Sequence, residues 1–138
     1  DLGVVMMYLQ CSELLQQKSY RAKALEIGLF SCKLRSKKIT RMEDAAICHG
    51  TAGLYLQYQI LYRHFAHPDF AETAAYWKKK TIGYSKYDDG PGGYMVPTLA
   101  GMQGNPGLLG GAAGIGLSFL YELNGGHAPW LKFLLLPA

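Results

Sequence analysis

Cysteine is scarce in this chain: Cys11, Cys32 and Cys48 are the only three in 138 residues. An odd, widely spaced set excludes the disulfide framework that staples small secreted domains, and it points to a reducing compartment, so a cytoplasmic location is expected. Charge is sparse too, at 17% of residues, where an average globular protein carries about 25%. That excludes a highly charged, disordered composition. The sequence shows no secretory leader pattern and no apolar run of membrane-spanning length. Its longest candidate, Leu108 to Leu123, is broken by glycines and carries Glu122, so it reads as a buried helix. No methionine opens the chain, which starts inside the apolar run Asp1-Leu2-Gly3-Val4-Val5-Met6-Met7-Tyr8-Leu9. It therefore reads as a piece of a longer domain.

The net charge of +4 sits partly in the run from Lys33 to Arg41 and partly in Lys78-Lys79-Lys80. No reading helix or stacking platform accompanies these runs, so they are taken as solvated faces and nucleic-acid binding is not expected. Glycine, by contrast, is abundant, with 17 residues, and clustered. Three glycine-led segments align: Asp1-Leu2-Gly3-Val4-Val5-Met6, Thr51-Ala52-Gly53-Leu54-Tyr55-Leu56 and Ala112-Ala113-Gly114-Ile115-Gly116-Leu117. Their starts lie 50 and 61 residues apart, a repeat the size of a helix pair. In the latter two, Gly50 and Gly111 stand three positions before the repeat glycine.

Each repeat opens with a helix that is apolar on most sides, as a helix surrounded by protein must be. From Val4 to Leu15 only Gln10, Ser12 and Glu13 are polar, and Leu54, Tyr58, Leu61, Tyr62 and Phe65 recur at helical spacing. The second helix of each pair is amphipathic. Tyr20, Ala24, Ile27 and Ser31 oppose Arg21, Lys23 and Glu26; Phe70, Ala74 and Trp77 oppose Glu72 and the lysines, with Pro68 suited to a first turn. Buried helices backed by amphipathic ones make an inner and an outer ring. The expected fold is all-α, the C-terminal portion of an α/α toroid left incomplete in this chain. Helix pairs are expected over about 1–33 and 50–86, with a last inner helix over 110–124 followed by a C-terminal tail. Tyr84 to Gly111 is read as a long irregular segment across one mouth of the barrel, with Asp88-Asp89 in a turn.

The residues with most chemistry are Cys48 and His49, in Ile47-Cys48-His49-Gly50-Thr51-Ala52-Gly53. Adjacent ligands on one helix would point about 100° apart, but a loop turning into a helix at Gly50 and Gly53 can aim both inward. A thiol at a helix N-terminus favours the thiolate, and sulfur with imidazole selects Zn²⁺ over Mg²⁺ or Ca²⁺. Catalytic zinc takes about three protein ligands; Cys11, Cys32, His64 and His67 are poorly placed to supply one. The bland reading is a buried small hydrophobe beside a hydrogen-bonded histidine. A Cys-His hydrolase dyad is disfavoured, because adjacent side chains rarely make that geometry. The run Gly110-Gly111-Ala112-Ala113-Gly114-Ile115-Gly116 has the wrong glycine order for a dinucleotide fingerprint.

Cys48-His49-Gly50-Thr51-Ala52-Gly53-Leu54 resembles the C-H-G-x-A-G motif of the lanthionine synthetase C-like cyclases, the family that includes the cyclases of lantibiotic biosynthesis. Gly107 to Leu117 resembles their last glycine-led inner helix, Trp130 to Leu136 their short C-terminal end, and Asp1-Leu2-Gly3-Val4 the stretch directly after their W-C-Y-G motif. The resemblance covers the whole chain in the family's order. It implies a zinc cofactor held by Cys48 and His49, with a third ligand, the cysteine of W-C-Y-G, upstream of residue 1. It also implies catalytic residues upstream of residue 1. The implied reaction adds cysteine thiols of a dehydrated precursor peptide to dehydroalanine or dehydrobutyrine, forming thioether rings, with a dehydratase as a further partner. The alternative is a relative that holds a thiol such as glutathione at the same zinc corner without cyclising. A different α/α-toroid enzyme would need paired carboxylates or an Asp-rich motif, which the sequence lacks. This chain alone is expected to bind zinc weakly, to lack cyclase activity and to self-associate through exposed inner-helix surface.

Overall fold

The computed structural model describes residues 2–35, 40 and 42–137. Part of the basic run, Lys37, Lys38 and Arg41 among it, lies outside the described residues. The described chain is built from helical hairpins. Helix α1 spans Leu2–Leu14 and α2 spans Lys18–Ser31. Gln16, with φ of 53°, reverses the chain between them. Helices α3 (Thr51–Phe65) and α4 (Pro68–Gly83) form the second hairpin. Its joint is tight: Ala66 takes the left-handed conformation and sends its N–H to Tyr62 O. His67 then accepts from Asp69 N–H as the N-cap of α4, with Pro68 in its first turn. Helix α5 (Ala112–Leu123) packs beside α3, and a short 3₁₀ turn, Pro129–Leu134, ends the described chain.

The alternation of helix types decides where the core sits. Val5 and Leu9 of α1, Tyr55, Leu56, Ile60 and Leu61 of α3 and Phe70 of α4 are all fully buried in one cluster. The outer helices enter it with one face only: Ala24 and Ser31 of α2 and Phe70, Ala74 and Trp77 of α4 are buried, while Arg21, Lys23, Glu26 and Glu72 face solvent. Polar links tie the hairpins together. Ser31 and Tyr58 share a hydrogen bond of 2.9 Å, and Arg35 reaches both Glu72 and Thr73. Burial pushes the Tyr58 hydroxyl up to about 12, so it serves this contact as a neutral group.

Helix α1 departs from the all-round burial that its composition implies: Val4, Met7 and Leu14 are exposed. The segment between α4 and α5 is not wholly irregular either. It holds a 3₁₀ turn, Pro91–Gly93, and a two-stranded antiparallel ribbon, β1 (Val96–Thr98) against β2 (Gly101–Gln103). A proline inside a three-residue strand masked that ribbon in the sequence.

Candidate metal centre

Cys48 and His49 lie in the turn that leads into α3, and the turn is dictated by close backbone packing. Thr51 N–H donates to Asp44 O at 3.1 Å and Gly50 N–H to Ala46 O at 2.9 Å. A Cβ on Gly50 would fall 2.3 Å from both Ala46 N and Asp44 Oδ1, and one on Gly53 would fall 2.1 Å from Ile47 O. Only glycine lets the loop lie this flat against the first turn of the helix.

That loop brings the two candidate ligands together. Cys48 Sγ and His49 Nδ1 are 2.8 Å apart, so adjacent side chains here do make the contact that the sequence disfavoured. The reason is that neither residue is helical: each sits in the turn before α3, where side-chain directions are not bound to helical spacing. Both are exposed, which removes the reading of two residues buried in the core. The far side of the imidazole is held by Asp44, whose Oδ2 accepts from His49 Nε2 at 2.9 Å. The Asp44 side chain is only 3% exposed, and its Oδ1 accepts from Ala46 N–H at 2.9 Å. A carboxylate accepting from Nε2–H leaves Nδ1 as the lone-pair nitrogen on the thiol side.

Sulfur and Nδ1 side by side, with a carboxylate behind the imidazole, fit a zinc ion as two of its ligands plus an outer-shell anchor. Among the described residues no group of three His, Cys, Asp or Glu side chains converges as a metal site. Cys11 is half-buried on α1; Cys32 is buried, donates to Gly28 O, and burial pushes its thiol up. His64 pairs with Glu13 at 3.2 Å, and burial holds its imidazole below the ordinary range. His67 caps α4.

Asp44 escapes a motif search because its role is set by the fold, yet the repeat marks it. Asn105 stands six positions before Gly111 as Asp44 stands six before Gly50. Asn105 Oδ1 accepts from Gly107 N–H as Asp44 Oδ1 accepts from Ala46 N–H, and Ala112 N–H donates to Asn105 O as Thr51 N–H donates to Asp44 O. In that second corner Leu109 and Gly110 occupy the positions of Cys48 and His49. The two corners touch: Cys48 N–H donates to Leu109 O at 3.2 Å.

The family model for lanthionine synthetase C-like proteins matches residues 1–135. No curated protein matches the chain.

Proposed function

Since this chain belongs to the lanthionine synthetase C-like family, we propose that it carries part of a zinc-dependent cyclase site that joins cysteine thiols of a dehydrated precursor peptide to dehydroalanine or dehydrobutyrine. The observation that supports this reading is the convergence of Cys48 Sγ and His49 Nδ1 with Asp44 fixed behind the ring. Cys48 and His49 would hold the ion, and the proposal puts a third protein donor before Asp1. Zinc with an open position supplies a lowered pKa to a bound thiol, which is the nucleophile that thioether formation needs. The chain's own residues do the rest. Asp44 keeps the proton of His49 on Nε2, and the Gly50–Asp44 packing holds the turn at the mouth of α3.

A second reading is a relative that captures a thiol, glutathione among the candidates, without cyclising. It draws on the same observation, Cys48 Sγ and His49 Nδ1 converging in front of Asp44, since holding a thiol on zinc asks for no further acid from this chain. The proposed setting is cytoplasmic, with a dehydratase acting before it in the cyclase reading. No helix among the described residues is long and apolar enough to cross a membrane.

Elemental analysis decides the metal. The chain, the chain extended upstream of Asp1, and Cys48→Ala in each are compared. Zinc near one per chain in the extended form, lost on substitution, is the expected result; zinc content unaffected by Cys48→Ala would remove the proposal. Thioether formation by the extended form on a dehydrated peptide then separates cyclase from thiol holder.

A further inference from the structure

The two candidate ligands are anchored differently. Asp44 holds His49 by its ring, whereas among the described residues no side chain except that of His49 pairs with Cys48. Cys48 is fixed through its backbone instead. Its N–H donates to Leu109 O at 3.2 Å, in the second corner. A further contact lies one residue earlier. A Cβ on Gly114 would fall 2.6 Å from Ile47 Cγ2, so the bare backbone of α5 leaves the notch that Ile47 fills. Cys48 thus follows a residue seated on α5 and is itself bonded to the turn that precedes α5.

Such an anchor holds only as firmly as the second corner does, and Asn105 closes that corner. Its Oδ1 accepts from Gly107 N–H and its O from Ala112 N–H, both at 2.8 Å. These bonds tie both ends of the turn that carries Leu109. Packing around them is close: a Cβ on Gly111 would fall 2.2 Å from Asn105 O. Without the side-chain acceptor one end of the turn is released, and Leu109 O moves with it.

We infer that Asn105 is a positioning residue for Cys48, acting through Leu109 O as Asp44 acts directly on His49. The corner is used twice: one copy carries the two ligands, and the other, with Leu109 and Gly110 in their places, holds the backbone of the sulfur ligand. The inference deepens the proposed function and rests on it for the identity of the metal alone. Setting Sγ against Nδ1 is a property of the metal-free chain.

Solution NMR of the 138-residue chain and zinc competition in the chain extended upstream of Asp1 test it together. Asn105→Ala removes the acceptor. Asn105→Asp keeps it, since Asp44 performs the same duty in the first corner. Asn105→Ser closes the turn more weakly and keeps the test readable where the alanine variant does not fold. In Asn105→Ala the Cys48 amide should exchange with solvent about fivefold faster, the effect of one neutral hydrogen bond, and the His49 Nδ1 resonance should move as Sγ draws away. Asn105→Asp should restore both. The Gly50 and Thr51 amides, bonded within the first corner, should exchange as in the parent in every Asn105 variant, which a general loosening of the fold does not allow. Zinc affinity of the extended chain should fall about tenfold in Asn105→Ala, as for an outer-shell partner, and recover in Asn105→Asp. Unchanged Cys48 exchange in the alanine and serine variants overturns the inference; so does faster exchange that leaves the Nδ1 resonance in place or that spreads to Gly50 and Thr51. Zinc that depends on Cys48 but binds Asn105→Ala as tightly as the parent overturns it too. If zinc content proves independent of Cys48 while Asn105→Ala moves both NMR signals, the zinc reading falls and the positioning of Cys48 stands.

Discussion

The carboxylate of Asp44 decides which nitrogen of His49 faces the thiol. Its two oxygens have separate duties, Oδ1 closing the turn on Ala46 N–H and Oδ2 taking the imidazole proton at Nε2. Asparagine can keep the first duty through its carbonyl, but it cannot offer the imidazole a negative partner. Outer-shell partners of this kind are worth roughly 10–100-fold in metal affinity. Asp44→Asn is therefore expected to weaken zinc binding about tenfold in the extended chain, read by competition with a chromophoric chelator, with helix content intact. Asp44→Ala removes both duties and is expected to weaken zinc nearer 100-fold and to cost about 1 kcal/mol of stability from the lost turn bond. Equal affinity in the parent and both variants would mean that Asp44 serves the turn alone.

At the scale of elements, the molecule repeats a corner as well as a helix. Gly53 lies against Ile47 O and Gly114 against Leu108 O, each carbonyl six residues earlier, with spaces of 2.1 Å and 1.9 Å for an added Cβ. Gly116, also on α5, has nothing within 4 Å of where its Cβ would be. The two kinds of glycine should respond oppositely to one substitution. Gly53→Ala forces the corner off α3 and should destabilise by about 3 kcal/mol, within the range for overpacked sites. Gly116→Ala should stabilise by about 0.5–1 kcal/mol through helix entropy. Urea denaturation of both variants checks this; similar shifts would mean that the corner yields without strain. Such local rules are why much of the architecture was legible in the sequence. Helical spacing placed Phe70, Ala74 and Trp77 on a buried face, and the glycine triplets located the starts of α3 and α5. Asp44 was less legible, because its partner His49 is chosen by a loop path rather than by a period.

For the whole molecule, the surface carries a consequence that the core does not. Leu14 is 83% and Leu123 77% exposed, and Val4, Met7 and Leu120 add to the apolar surface of the same two helices. Fully exposed leucines forgo roughly 1.5–3 kcal/mol each relative to burial, and soluble monomers rarely leave contiguous apolar patches of more than a few hundred Å². The chain is expected to self-associate through these faces of α1 and α5. Sedimentation velocity over a hundredfold concentration range should show species heavier than the 15.2 kDa monomer that dissociate on dilution. The double substitution Leu14→Glu with Leu123→Glu places charges where a partner helix would desolvate them, and it should leave a monomer at every concentration with helix content unchanged. Both side chains point to solvent, so the fold itself does not depend on them. A monomer of the parent chain throughout that range would show that the apolar faces of α1 and α5 are tolerated in water, and association through any other surface would survive the double substitution.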